Sequence, residues 1–290
     1  MSKHQIQNKS LSVTIEDAGA ELVSVMDKRT GSERIWTGEP AIWNRHAPIL
    51  FPFVGKVMNG RYRIGDKSYE MKTQHGFARD LPFSLVEKDG DSISHCLLSD
   101  PATKEIYPYD FCLTVRHLLE ADLLTVEWVI ENTGNEDMYF SIGGHPGFLL
   151  PDSIQKEDCL IGFPEKDQLE YFNANPQGFA MPADKKTLVL QDGAAAYQPD
   201  VPDTWIFEEQ HIDRVQILLP DHKPYVTMNC TNFPLLAVWA NKGGPFICLE
   251  PWYGRTDDDG FTGSLEEKPG IQKLSAWQKT SISYSMEFHA

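Results

Sequence analysis

Basic residues are scarce in this 290-residue chain: 26 Lys and Arg stand against 42 Asp and Glu, a net charge of −16 with histidine neutral. A field of that sign repels a phosphate backbone, so nucleic acid is excluded as a partner unless one patch gathers most of the cations, and anionic membrane surfaces are disfavoured for the same reason. Cysteine is scarce too. Cys96, Cys112, Cys159, Cys230 and Cys248 are odd in number, widely spaced and never in a C-x-x-C pair, which indicates neither a disulfide framework nor a zinc knuckle and suits a reducing, cytoplasmic setting. Long apolar runs are missing: the most apolar window, 138–151, is too short to span a bilayer and is interrupted by Gly143, Gly144, Pro146 and Gly147. Residues 1–10 hold Lys3, His4 and Lys9 without an apolar stretch, so no signal peptide is expected. No Gly/Ser/Pro linker or short-period repeat divides the chain, and no segment longer than three turns carries a helical stripe.

What remains is β pattern in a composition that is 41% hydrophobic and 23% charged, ordinary for a globular protein. Short runs alternate apolar and polar residues between turn dipeptides such as Asn59-Gly60, Gly65-Asp66, Asp89-Gly90, Gly134-Asn135 and Asp192-Gly193. Strands are predicted near 12–15, 21–26, 83–88, 92–98, 111–119, 123–132, 138–142, 215–219, 225–229, 235–240, 246–250 and 280–288. The pair 123–132 and 138–142 reads as a hairpin turning at 132–135. The one good helix start is Ser99-Asp100-Pro101, an N-cap with proline in the first turn. The expected architecture is therefore all-β, a large antiparallel sandwich forming a single domain over residues 1–290.

Three segments set ionisable side chains among glycines, prolines and aromatics. In Gly143-Gly144-His145-Pro146-Gly147-Phe148 a strand ends on a histidine whose backbone the following proline holds extended. His145 is then either a turn histidine bonded to a carbonyl or a cleft residue, and the glycines and Phe148 favour a cleft that a ligand approaches closely. In Phe246-Ile247-Cys248-Leu249-Glu250-Pro251-Trp252-Tyr253, Glu250 continues the face of Phe246 and Cys248. It is either exposed at a strand end or buried with a raised pKa, for which Trp252 and Tyr253 would supply the apolar wall. In Gln74-His75-Gly76-Phe77-Ala78-Arg79-Asp80, His75 and Arg79 fall close together, and the alternative is a surface Arg79–Asp80 ion pair of little energetic weight. No H-x-H, H-E-x-x-H or paired-cysteine spacing is present, so neither a metal nor an organic cofactor is expected.

Taken in order, Gly19-Ala20-Glu21-Leu22, Phe51-Pro52 with Gly55-Lys56 and Asn59-Gly60, His75-Gly76-Phe77-Ala78-Arg79, Gly144-His145-Pro146-Gly147-Phe148 and Glu250-Pro251-Trp252 resemble the aldose 1-epimerase family, the galactose mutarotase-like proteins, nearly end to end. The resemblance is to the branch that includes proteins accompanying bacterial lactose and tagatose utilisation and the hexose-6-phosphate mutarotases. It implies a large β-sandwich of the supersandwich type and a cofactor-independent isomerase that interconverts the α and β anomers of an aldohexose. It assigns the general base to Glu250 and the general acid to His145. It places His75, Arg79, Lys56 and Asp203 at the sugar, with Asp213 competing for the aspartate's role. Where many members have arginine after the loop glycine, this chain has Lys56, a point charge without a bidentate fork.

The implied partner is a small sugar, met by a monomer or homodimer. A hexose 6-phosphate, or sugar binding without turnover, are the alternative readings. Lys56, Arg61, Arg63, Lys72 and Arg79 form a basic group in an acidic chain, yet Arg61 and Arg63 fall on one solvated strand face, and a free aldose is favoured over its 6-phosphate.

Overall fold

Alternation becomes one-sided burial in the computed structural model, which describes residues 2–197 and 204–290. In Leu123–Asn132 every second residue is buried, Leu124, Val126, Trp128, Ile130 and Asn132, and Phe111–Glu120 repeats the pattern from Phe111 to Leu119. Both lie in a nine-stranded sheet whose order is Ala194–Ala196, Leu160–Gly162, Arg214–Leu218, Pro224–Asn229, Lys279–Phe288, Leu123–Asn132, Phe111–Glu120, Ser92–Leu98 and Ser84–Lys88. A six-stranded sheet sets Thr204–Glu208, Leu235–Trp239, Phe246–Tyr253, Ile142–Gly144 and Ile49–Leu50 side by side, with Gly147–Leu149 also pairing on Phe246–Tyr253. The pairings in both are antiparallel.

One hydrophobic cluster joins Trp128, Ile130, Val215 and Met286 of the first sheet to Phe207, Val238, Ile247 and Leu249 of the second. The two sheets therefore form a sandwich on a shared core, and each buried aliphatic or aromatic side chain contributes about 1.5–3 kcal/mol to holding them together. A four-stranded N-terminal sheet adds Leu11, Val13, Ile15 and Val25 to the same cluster. Among the described residues no helix is long and apolar enough to cross a membrane.

The helix start behaves as its chemistry requires. Asp100 caps Pro101–Ile106, its carboxylate accepting from the Thr103 amide at 2.7 Å while Thr103 Oγ1 accepts from the Asp100 amide at 2.8 Å. The hairpin expected at 132–135 does not form. Both edges of Leu123–Asn132 are occupied by Phe111–Glu120 and Lys279–Phe288, and Met138–Phe140 pairs instead with Gln272–Leu274. Asn132 turns the chain away, its side-chain Nδ2 donating to the Glu136 and Leu274 carbonyls. The tight connection falls one strand earlier, where Ala121 adopts φ +51° between two fully paired strands.

The strand Phe246–Tyr253 positions the site. Its odd-numbered side chains Ile247 and Leu249 enter the shared core, so Phe246, Cys248, Glu250 and Trp252 face the other way. In register beside them stand Ala237 opposite Glu250, Trp239 opposite Cys248 and, one strand further, Thr204 opposite Trp239. This outer face of the six-stranded sheet is the floor of a cleft.

Candidate active site

The cleft encloses about 250 Å³. That is below the roughly 300–1,000 Å³ of pockets for drug-sized ligands, and suits one small polar molecule. Glu250, Trp252, Trp239, Ile206 and Thr204 of the sheet line it together with His145, and loops bring in Trp43, Gly55, Lys56, Gln74, His75, Arg79, Asn241 and Thr256. These loops are tied to one another by backbone. The Phe77 and Ala78 amides both donate to the Phe51 carbonyl at 3.0 Å, and the His75 amide donates to the Gly55 carbonyl at 2.7 Å. A Cβ on Gly76 would fall 2.2 Å from the Phe51 oxygen, and φ there is +68°, so only glycine permits this approach. The Lys56 amide in turn donates to Thr256 Oγ1 at 3.0 Å, just beyond the strand that carries Glu250.

His145 lies between Ile142–Gly144 and Gly147–Leu149, its amide donating to the Pro48 carbonyl at 3.2 Å. The glycines around it serve packing rather than ligand approach. A Cβ at Gly143 would meet the Trp252 ring at 2.5 Å, one at Gly144 the Tyr284 hydroxyl at 2.8 Å, and one at Gly147 the Trp43 ring at 3.0 Å. Phe148 and Tyr253, expected at the cleft, are elsewhere: Phe148 is in the shared core, and Tyr253 turns the opposite way from Trp252 and donates to the Asn232 carbonyl.

His145 Nε2 stands 3.3 Å from Glu250 Oε2. The imidazole is enclosed by Trp43, Trp239 and His75, with ring centroids 5.0, 5.4 and 5.7 Å away. Glu250 is 1% exposed and His145 8%. Burial opposes charge on both: it pushes the His145 pKa down to about 3 and raises that of Glu250 well above the ordinary carboxylate value. Their unlike charges would support each other, so the contact titrates as a unit that holds one proton over a wide pH range. Burial holds His75 neutral, and the nearby charges of Arg79 and Lys56 act in the same direction. Its Nδ1 accepts from the Gly55 amide at 3.1 Å, which puts its proton on Nε2 as a donor.

His145, Cys248 and Glu250 also bring three ligand-type atoms within 4.8 Å of one another. Burial beside Glu250 raises the Cys248 pKa well above its usual value, which keeps it a packed thiol rather than a thiolate ligand.

Of the residues singled out from sequence, His145, Glu250, His75, Arg79 and Lys56 come together in this one cleft. Asp203 lies outside the described residues; Thr204, which follows it, lines the cleft. Asp213 is exposed and is not among the lining residues. The Arg79–Asp80 surface pair is not the main contact of either residue. Asp80 is taken by Arg45, and Arg79 lies 3.9 Å from Asp80 while donating to the Gln74 carbonyl at 2.7 Å. The basic group divides as well: Arg61 and Lys72 share exposed Glu70, and Arg63 donates to the Thr262 carbonyl, leaving Lys56 and Arg79 at the cleft. Trp43, Trp239, Asn241 and Thr256 had no sequence signal beyond residue type.

The fold is a β-sandwich that carries, on the outer face of one sheet, a small cleft floored by a buried carboxyl and imidazole under tryptophans. The sequence model of the aldose 1-epimerase family matches residues 2–252, and the chain belongs to that family. It is 28% identical to the chromosomal LacX protein of Lactococcus lactis, over 97% of this chain and 98% of that one. Among solved structures, a galactose mutarotase related enzyme from Lactobacillus acidophilus is 30% identical with a TM-score of 0.94, covering 100% of this chain and 98% of its own. A galactose mutarotase-like protein from Lactobacillus casei is 28% identical with a TM-score of 0.91, covering 99% and 100%.

Proposed function

We propose that residues 1–290 act as a single-domain mutarotase that interconverts the anomers of an aldohexose by opening and reclosing the ring, with Glu250 as base and His145 as acid. The observation that carries this reading is the 3.3 Å contact between the two groups on a water-poor cleft floor. Unpaired polar atoms around the cleft support a polyhydroxylated ligand. His145 Nδ1 and Arg79 Nε are both buried without hydrogen-bond partners among the described residues. Each such atom costs about 1–3 kcal/mol until something pairs with it.

Before a sugar binds, burial favours a neutral imidazole and a protonated carboxyl. An anomeric hydroxyl against Glu250 and a ring oxygen against His145 favour moving the shared proton to the imidazole, which creates base and acid together. Glu250 then takes the hydroxyl proton, the O1–H bonding pair becomes the second bond of the C1=O1 carbonyl, and the C1–O5 pair leaves to O5, which His145 protonates. The pair is thereby returned to the neutral form that burial prefers. Rotation about C1–C2 and the reverse transfers give the other anomer. His75 Nε2, Arg79, Lys56 and Asp203 would hold the remaining hydroxyls.

A second reading, a hexose 6-phosphate as substrate, is favoured by the cations. Among the described residues Lys56 Nζ bonds only the Gln177 carbonyl, and the nearest carboxylate to Arg79 is the one 3.9 Å away that Arg45 already holds. Polarimetry or NMR exchange on free and 6-phosphorylated aldoses, with wild type and Glu250→Gln, tests both readings. Exchange by the wild type and a loss of about 10²–10⁴-fold in the variant, with binding retained, is expected. Binding without exchange in the wild type would make the protein a sugar binder.

A further inference from the structure

Away from the cleft, the N-terminal sheet meets the edge of the nine-stranded sheet at another group of ionisable side chains. His4, on Lys3–Gln7, sets its Nε2 2.8 Å from Asp17 Oδ1. His95, on Ser92–Leu98, sets its Nε2 3.5 Å from the same oxygen. The two imidazole centroids are 5.5 Å apart, and the three ligand-type atoms lie within 4.8 Å of one another. We infer that His4, Asp17 and His95 bind a divalent cation of the zinc class.

Two independent observations carry the site. First, His95 is 0% exposed, yet neither of its ring nitrogens has a hydrogen-bond partner among the described residues. Buried imidazoles are ordinarily satisfied, and with Asp17 Oδ1 bonded to His4 at 2.8 Å, the 3.5 Å approach of His95 to the same oxygen leaves its imidazole without a close hydrogen bond. A cation between the three groups gives its Nε2 a partner. Second, the donors and their spacing suit the metal. Two imidazoles and a carboxylate are ligands for zinc and its neighbours. Ligand atoms about 2.0–2.1 Å from a tetrahedral zinc stand roughly 3.3 Å apart. The separations of 2.8 and 3.5 Å bracket that value.

The surroundings fit as well. Asp17 Oδ2 accepts from the Ser2 amide at 3.1 Å, an outer contact that orients the carboxylate. The His4 and Asp17 side chains are 19% and 21% exposed, which leaves a path for the ion and an open fourth position for water. In the adjoining strand Val115 pairs with His95, so His117, buried and with Nδ1 unpartnered, is one step along the same face. The ion would pin Lys3–Gln7 to Ser92–Leu98, joining two sheets remote from the sugar cleft.

Calorimetric titration of metal-stripped full-length protein with zinc chloride, paired with cobalt(II) absorption spectra, tests the site. One zinc per chain is expected, with visible cobalt bands of four-coordinate intensity and a thermal midpoint that rises with zinc. His4→Ala and Asp17→Asn should each weaken binding at least tenfold and abolish the thermal shift. Both side chains are partly exposed, and circular dichroism checks that the variants fold. Glu250→Gln and Cys248→Ala should bind as the wild type does. Absence of stoichiometric binding, or affinity unchanged in both His4→Ala and Asp17→Asn, overturns the proposal. Loss of binding in Glu250→Gln or Cys248→Ala instead would move the ion to the cleft and overturn it equally.

Discussion

Glu250 and His145 are both cut off from water, and that shared burial governs how they respond to pH. A second proton joins the pair only near the depressed His145 value of about 3, and the last one leaves only above the ordinary carboxylate range. The profile of kcat/KM for anomer exchange should therefore be flat through neutrality, with its acid limb far below 6.5; an inflection near 6.5 would mean that the imidazole titrates as an exposed one does. Stability carries the same signature with a definite sign. Unfolded, Glu250 loses its proton above the ordinary glutamate value of 4.5, while the folded protein retains it to higher pH. The native state then holds the extra proton, so this residue's contribution is complete below 4.5 and is lost as pH rises, at about 1.4 kcal/mol per unit, until the folded pKa is passed. His145 acts oppositely below 6.5, because the unfolded chain binds a proton that the native state refuses. Glu250→Gln should thus gain on the wild type with rising pH, as urea midpoints measured at a series of pH values will show.

At the scale of elements, the contact between Phe51 and Gly76 joins two loops that present His75, Arg79 and Lys56 to the cleft. Gly76→Ala would force a Cβ against the Phe51 carbonyl and strain a positive φ. It should cost about 1–3 kcal/mol in denaturant unfolding and raise KM for the sugar more than it lowers kcat, since the floor pair stands on other elements. The local grammar of such elements was legible: alternation located the long strands and Asp100-Pro101 the helix start, while the stripe of Phe246, Cys248 and Glu250 left the carboxylate either exposed or buried, and the structure buries it. Pairing was not, because alternation states which face is apolar and is silent about the neighbour. The expected pairing of 123–132 with 138–142 fails for that reason. Glycines 143, 144 and 147 read as room for a ligand when Trp252, Tyr284 and Trp43 fill that room. Trp43, Asn241 and Thr256 reach the cleft from irregular loops, where no period marks a position.

At the scale of the whole molecule, a net charge of −16 surrounds a cleft whose only lining cations among the described residues are Lys56, Arg79 and whatever charge the histidines take up. An anionic sugar must cross that field, which added salt screens within about 10 Å at 0.1 M. Its kcat/KM should rise as salt is added from low ionic strength, whereas that of a free aldose should not. The proton-sharing pair adds a further consequence. Because Glu250 and His145 carry one proton between them before, during and after ring opening, the protein's total charge is the same at each stage and no counterion has to follow the reaction. Ionic strength then acts on the sugar's arrival alone, and kcat for a free aldose should be the same in dilute buffer and in concentrated salt.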